Sequence, residues 1–454
     1  MPLPPLLSSN LPLPTGSHSV GYLPLSHKPI SPFEHSHPTL NDTGLPVLKV
    51  HDIGYSVFYP TDTKGKAKGV SWVPEPFWGV IKGYELFLSG KTGQASTRSM
   101  RFLANTIGYI AGRLRIPVHP YAPLLSPPSP SQRYPLVIFS HGLAGTRHTY
   151  SQFCAGLASE GYVVLAVEHK DGSGPAVCIT SDRGEGEGKV KENQSTVQHY
   201  IRQSDLKWAP GEDKSLTQFR TLQLDIRSRE IYEAYHNFKS LISKANEGVL
   251  TEVGSKEKEK DLSKKKDWIA SLNGKVDCDD LRLTGHSFGG GTVLHILQTP
   301  SPSPDLPTLP VKRVIALDPW LEPIPLPSSS TQTHPAMPPI LVINSVGFTE
   351  WSTHFKRLAG MIKDAQGSLL TVGMVGHQSF SDFPLLDPRS HNSAKNLLNK
   401  IHDLSNAFLS SKLADSADLI DKTPDGGLIS KNADGKLLGG DKEGEVIVHL
   451  VGKE

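Results

Sequence analysis

One short stretch carries the residue types that do covalent chemistry: Gly285-His286-Ser287-Phe288-Gly289, a serine with a glycine two residues to either side. The β-prone run Leu281–Thr284 precedes it and the apolar run Thr292–Leu297 follows, so the spacing predicts strand, sharp turn, helix, with Ser287 at the turn. Such a turn strains the serine backbone and leaves room only for glycine at those two flanking positions. It also exposes the hydroxyl at a helix N-terminus, where developing negative charge is favoured. A serine hydroxyl is a weak nucleophile. It needs a base to take its proton and an acid to orient that base.

Candidate bases are the six histidines that follow Asp318: His334, His354, His377, His391, His402 and His449. Among these, His377 stands just past a predicted buried strand, Ser368–Val372, behind a glycine, in a loop able to reach the sheet edge; His354 and His391 rank next. For the acid, Asp318 directly follows the strand Val311–Leu317, 31 residues beyond Ser287 (318 − 287), and Pro319-Trp320 stiffens its loop. Glu350, after the strand Pro339–Asn344, is the competing position, and the tighter strand end favours Asp318. Earlier, the apolar run Pro135–Ser140 enters His141-Gly142-Leu143-Ala144-Gly145. Glycines there let the backbone approach a substrate, so the Leu143 N–H is the candidate oxyanion donor, and His141 reads as a structural residue shaping the loop.

The elements that must position these groups alternate strand and helix from Pro135 onward, which predicts an α/β core with the site at the carboxyl ends of its strands. Tyr150–Ser159, a long stretch from Phe219 to Ile242, and 391–413 are read as helices, and Tyr162–Val167 as a buried strand. Residues 1–46, rich in Pro, Ser and His, read as an extended N-terminal arm; 47–413 as the catalytic domain; 414–454 as a polar extension with Val446–Leu450 as a late strand. Val47–Val50 and Tyr55–Tyr59 are expected to open the sheet as an antiparallel hairpin. Two amphipathic helices are expected within 77–114, packed on the sheet, or else forming a cap over the site or a surface for lipid. Asp171 to Gly211 reads as an irregular insertion with a charged tip at 184–188, and 255–266 as a solvated charged loop.

Composition narrows the class further. A net charge of +2 over 454 residues gives no reason to expect nucleic acid as a partner. Cys154, Cys178 and Cys278 are widely spaced and match neither a disulfide framework nor a zinc pattern, which favours a reducing compartment, with a cytoplasmic setting expected, or a protein indifferent to redox state. The proline-broken N-terminus lacks the charged start of a secretory signal, and no apolar run approaches the ~20 residues of a membrane span.

Taken in order, several segments resemble the platelet-activating factor acetylhydrolase family, plasma and type II intracellular branch. They are Tyr134-Pro-Leu-Val-Ile-Phe-Ser-His-Gly-Leu143, Val167-Glu-His-Lys-Asp171, Gly285-His-Ser-Phe-Gly-Gly290, Ala316-Leu-Asp-Pro-Trp320, Ile343-Asn-Ser345 and His377-Gln-Ser-Phe-Ser-Asp-Phe383. Val57-Phe-Tyr-Pro60, Trp72-Val-Pro74 and Phe77-Trp-Gly79 extend the likeness toward the N-terminus. The resemblance implies an α/β-hydrolase fold: a mostly parallel central sheet flanked by helices, with N-terminal antiparallel strands and inserted loops. It implies Ser287 as nucleophile, His377 as base, Asp318 rather than Glu350 as acid, and the N–H groups of Leu143 and Phe288 as the oxyanion hole. The implied reaction is calcium-independent hydrolysis of the sn-2 ester of phospholipids with short or oxidised acyl chains, with no metal or cofactor. An esterase or lipase acting on other esters, or a non-catalytic binding protein of the same fold, are the alternatives. The charged segments at 184–188 and 255–266 and the tail after Asp418 have no counterpart in the resemblance.

Overall fold

The computed structural model describes residues 10–92, 108, 111–181, 194–243, 267–325, 337–413, 415–416 and 439–452. Ten strands form one sheet: β1 (Ser19–His27), β2 (Ile53–Thr61), β3 (His119–Pro120), β4 (Tyr134–Ser140), β5 (Val163–Glu168), β6 (Val276–His286), β7 (Val311–Leu317), β8 (Ile340–Asn344), β9 (Ser368–Val372) and β10 (Val446–Leu450). Across the sheet the order is β10-β9-β8-β7-β6-β4-β5-β2-β1-β3. Every neighbouring pair from β9 to β5 is parallel. β2 runs antiparallel to both β5 and β1, and β10 runs antiparallel to β9.

The central strands are apolar on both faces because both faces are covered. In β4, Leu136 and Ile138 join one core and Val137 and Phe139 the other; in β5, Leu165 and Val167 oppose Val164 and Ala166 in the same way. The helices are α1 (Phe77–Thr92), α2 (Ser151–Ser159), α3 (Leu216–Ser243), α4 (Phe288–Gln298), α5 (Val346–Glu350), α6 (Ser352–Asp364) and α7 (His391–Leu409). On one face α3, α4 and α6 supply Phe238, Val293 and Leu358; on the other, α2 and α7 supply Leu157 and Ile401. The parallel strands β4, β6, β7, β8 and β9 therefore end at one edge, where their loops begin.

The N-terminal part departs from expectation. The expected hairpin of Val47–Val50 with Tyr55–Tyr59 does not form. Instead β2 pairs with β1 from within the segment read as an arm, and Lys49–Val50 pairs with Phe33–Glu34. Residues from 19 onward thus belong to the sheet, not to an appendage before 47. Gly21 and Pro24 obscure the alternation of β1, and proline is tolerated there because β3 covers only Gly21 and Tyr22 on the outer side. The insertion after Asp171 is likewise ordered in part: Ala176–Ser181 and Gln194–His199 form an antiparallel hairpin. The tip at 184–188, the loop 255–266, most of the second expected helix and 417–438 lie outside the described residues. Val446–Leu450 returns to the sheet as an edge strand, so part of the segment 414–454 is built into the core architecture. Among the described residues no helix is long and apolar enough to cross a membrane.

Leu23 is fully buried in a strand that sequence reading placed outside the domain. We expect Leu23→Ala to lower the unfolding free energy by about 2–5 kcal/mol, as for other buried leucines. Urea denaturation checks this, and a loss below about 0.5 kcal/mol, the range of surface sites, would count against β1 being part of the core.

Candidate active site

Ser287 takes φ 56° and ψ −118°, a left-handed backbone that non-glycine residues rarely adopt. Backbone bonds pin it: its N–H donates to the Leu317 carbonyl at 2.9 Å, and its carbonyl accepts from Gly291 and Trp320, each at 2.9 Å. The flanking glycines are required by close approach. A Cβ on Gly285 would lie 2.3 Å from the Gly289 carbonyl oxygen, and one on Gly289 would lie 2.0 Å from that of Ser140. The turn thereby presses the start of α4 against the end of β4.

The structure brings Ser287, His377 and Asp318 into one hydrogen-bonded chain. Ser287 Oγ is 2.9 Å from His377 Nε2, and His377 Nδ1 is 3.0 Å from Asp318 Oδ2. An ionised Asp318 only accepts, so Nδ1 carries the imidazole proton and Nε2 is left to accept from the serine hydroxyl. Asp318 is fully buried, and Ser345 satisfies it twice: its N–H donates to Oδ1 and its Oγ–H to Oδ2, both at 2.6 Å. The His377 side chain remains 33% exposed, open to a reactant from solvent. The Phe348 ring lies parallel to the imidazole at 4.6 Å and 3°.

Beneath the chain sits His286, whose ring centroid is 4.6 Å from that of His377. Burial, followed by the charge of His377, holds its pKa well below the usual range and keeps it neutral. Its Nδ1 is 2.8 Å from the Tyr150 hydroxyl, which also accepts the Gly142 N–H at 3.3 Å. Nearby, a Cβ on Gly142 would stand 3.0 Å from Ser287 Cβ, so the Gly142 loop lies directly against the serine.

That loop leaves one donor over. Gly142 donates to Tyr150, Ala144 to the Ser173 carbonyl at 2.8 Å, Gly145 to the Gly142 carbonyl at 3.0 Å, and Thr146 to Thr149 Oγ1 at 3.0 Å. The Leu143 N–H has no partner among the described residues, and neither has the Phe288 N–H at the first turn of α4. His141 is buried, with its pKa pushed down to about 3 chiefly by burial and then by the charge of Arg227. It accepts the His169 N–H at 3.2 Å, a structural contact.

The competing residues are engaged elsewhere. Glu350 is exposed at the end of α5. His354 Nε2 bonds the Pro319 carbonyl at 2.9 Å, and His391 Nδ1 the Leu385 carbonyl at 2.9 Å. His334 lies outside the described residues. His286, Asp318 and His377 offer metal-ligating atoms within 4.8 Å of one another, but His377 and Asp318 already spend theirs on each other and on Ser287.

Two supporting residues lie in segments that carry the resemblance, but nothing in the sequence assigned them a role. Ser345 follows a strand, and its two hydrogen bonds to Asp318 depend on β7 and β8 being neighbours. Asp382, fully buried, accepts from Trp72 Nε1, Ser151 N–H, Ser151 Oγ and Gln152 N–H, tying the segment after His377 to the first turn of α2. Burial pushes its pKa up to about 6, against the pull of those donors. We expect Ser345→Ala to fold normally and to lower kcat/KM about tenfold, the low end of one charge-assisted hydrogen bond. Steady-state kinetics on an activated ester checks this, and an unchanged value would show that Asp318 is held without the hydroxyl.

Comparison with known proteins places this geometry in context. The family model described as platelet-activating factor acetylhydrolase, isoform II, matches residues 9–403. A platelet-activating factor acetylhydrolase of Gallus gallus is 30% identical over 255 residues, covering 56% of this chain and 54% of that protein. The Bos taurus protein of the same name is 32% identical over 254 residues, covering 56% and 49%, and that of Cavia porcellus 28% over 311 residues, covering 68% and 60%. The chain thus spans about half the length of the curated relatives it matches. Among solved structures, a ferulic acid esterase from Streptomyces cinnamoneus shares 16% identity with a TM-score of 0.48, covering 92% of this chain and 96% of its own; a likeness at that level carries no functional weight. The family match runs from before β1 into α7 and contains Ser287, Asp318 and His377, so the chain belongs to the platelet-activating factor acetylhydrolase isoform II family.

Proposed function

We propose that this chain is a calcium-independent serine hydrolase that cleaves the sn-2 ester of phospholipids with short or oxidised acyl chains. The observation that carries the reading is the unbroken Ser287–His377–Asp318 hydrogen-bonded chain in a member of this family. In the reaction His377 accepts the Ser287 proton as Oγ attacks the ester carbonyl, and Asp318 stabilises the imidazolium that forms. The N–H groups of Leu143 and Phe288 receive the oxyanion, an effect on the order of 3 kcal/mol per donor in the transition state. His377 then protonates the departing lysophospholipid oxygen, and a water deprotonated by the same imidazole releases the acyl group from Ser287. Every proton passes through one imidazole, and no step calls for a metal or cofactor.

Two further parts of the reading concern setting. Contact with a lipid surface through α1 is supported by Trp78 and Leu88, which are 65% and 52% exposed. Phe87 instead packs edge-on against Tyr200 at 5.0 Å, so it belongs to the fold side of the helix. A reducing, cytoplasmic compartment is supported by Cys154, Cys178 and Cys278 all being free thiols.

The test is hydrolysis of a panel of short-chain phospholipid, long-chain phospholipid, triglyceride and p-nitrophenyl acetate. Wild type is expected to prefer the short-chain phospholipid, and Ser287→Ala to reduce the rate by at least about 10³-fold while keeping the fold. A preference for triglyceride would favour the lipase alternative; activity retained by Ser287→Ala would remove the serine from the mechanism. Replacing Trp78 and Leu88 together by serine is expected to weaken partitioning onto zwitterionic liposomes by about tenfold or more, from the apolar area withdrawn, with hydrolysis of soluble p-nitrophenyl acetate unchanged. Equal partitioning in a sedimentation assay would count against docking through α1.

A further inference from the structure

Behind the loop that carries Leu143 lies a buried ion pair that the mechanism above does not use. Arg227 on α3 and Asp171 are both fully buried, with Arg227 Nε 2.8 Å from Asp171 Oδ2. The other guanidinium nitrogens are also spent: Nη1 donates to the His141 carbonyl at 2.7 Å and Nη2 to Ser173 Oγ at 2.6 Å. Ser173 is in turn fixed to Asp171 through its N–H and its hydroxyl, and its carbonyl accepts the Ala144 N–H at 2.8 Å. The chain is therefore held on both sides of Leu143, at His141 before it and at Ala144 after it. Ala144 has φ 56°, a left-handed backbone that needs such external support. The same guanidinium lies over the Phe288 ring, its central carbon 4.4 Å from the ring centroid.

One cation thus contacts both segments that carry the two free N–H groups: the Leu143 loop through a hydrogen bond to the His141 carbonyl, and Phe288 through its ring. We propose that Arg227 is a positioning residue for the oxyanion hole, fixing the distance between the Leu143 and Phe288 donors. This rests on the reading of those two N–H groups as the hole. The work needs the flat, three-way fork of arginine; a lysine ammonium supplies the charge but can neither hold three partners in that plane nor lie flat on the ring.

The experiment compares wild type, Arg227→Lys and Ser173→Ala as full-length chains. It measures kcat and KM on a short-acyl p-nitrophenyl ester, and the inhibition constant of a short-acyl trifluoromethyl ketone, whose serine adduct carries an oxyanion. Misplacing reacting groups by about 1 Å costs ~10²-fold, so Arg227→Lys is expected to lower kcat about 10- to 100-fold with KM within about twofold. Ser173→Ala is expected to act in the same direction by about 3- to 10-fold, since it removes the hydroxyl that joins Arg227 and Asp171 to the residue whose carbonyl holds Ala144. Ketone affinity should fall in proportion to kcat/KM across the three proteins. That proportionality is the readout a purely structural role would not move. A folded Arg227→Lys with wild-type kcat, or with reduced kcat and unchanged ketone affinity, overturns the proposal. Should Arg227→Lys fail to fold, Ser173→Ala decides by the same two measurements. An active wild type with unaffected variants defeats the positioning role alone, whereas a wild type that hydrolyses no ester in the panel defeats both readings.

Discussion

The backbone of Ser287 is the constraint on which the rest of the site depends. A left-handed conformation costs a non-glycine residue about 1–3 kcal/mol and persists only where surroundings over-determine it. Here the surroundings are the neighbouring strand end, through the bond from Ser287 to Leu317, and the first turn of α4, through Gly291. Strain of the same kind recurs at Ala144, Asp318 and Met374, in the loops that follow β4, β7 and β9. All are at the carboxyl edge of the sheet. The sheet core can support this because its parallel strands are buried on both faces and locked in register, with His286 beside Leu317 and Leu317 beside Ile343.

Register then determines chemistry. Asp318 follows β7 by one residue and Ser345 follows β8 by one, and the backbone bond from Asp318 to Ile343 holds the two strand ends level. That alignment lets a fully buried carboxylate receive two donors from Ser345 and a third from His377. Without them the carboxylate would be a buried acceptor left without partners. His286 solves the opposite problem. It lies against His377, the base of the proposed mechanism, but stays neutral through burial, so it adds packing there without positive charge that would oppose imidazolium formation.

Much of this was legible in the residues. β7, β8 and β9 fall where apolar runs predicted them, because strands buried on both faces need uninterrupted apolar residues and turn residues bound them sharply. The glycines around Ser287 announced the turn because no other residue fits there. Legibility failed where long-range pairing decides structure. β1 carries Gly21 and Pro24, which mask a period-two pattern, and it becomes a strand only because β2 offers it an open edge. Lys49–Val50 looked like the natural partner of the next strand by proximity, yet it pairs with Phe33–Glu34. Asp382 and Ser345 lie in segments that the resemblance picked out, yet their roles could not be read there. Their partners lie 231 and 27 residues away, and no local pattern points to them.

The polar interior beneath the Leu143 loop needs a different account from the apolar core. Arg227, Asp171, Glu230 and His169 are all buried, and Glu230 bonds His169 at 2.6 Å and the Lys170 N–H at 2.8 Å. Taking such groups out of water costs several kcal/mol per charge, and well-packed apolar residues of similar volume are often equally stabilising or better. Stability alone therefore does not explain their presence. What apolar side chains cannot do is grip the His141 carbonyl at the start of the loop and, at the same time, the hydroxyl of Ser173, whose own carbonyl holds Ala144. The loop from His141 to Gly145 contains two glycines and a left-handed alanine, a run with little intrinsic preference for any one conformation. Packing would confine it; directional bonds to Arg227, Ser173, Tyr150 and Thr149, with one inside the loop from Gly145 to the Gly142 carbonyl, select one conformer and, in doing so, consume every N–H from Gly142 to Thr146 except that of Leu143. In the proposed mechanism the donor left over beside the serine is the one that meets the oxyanion.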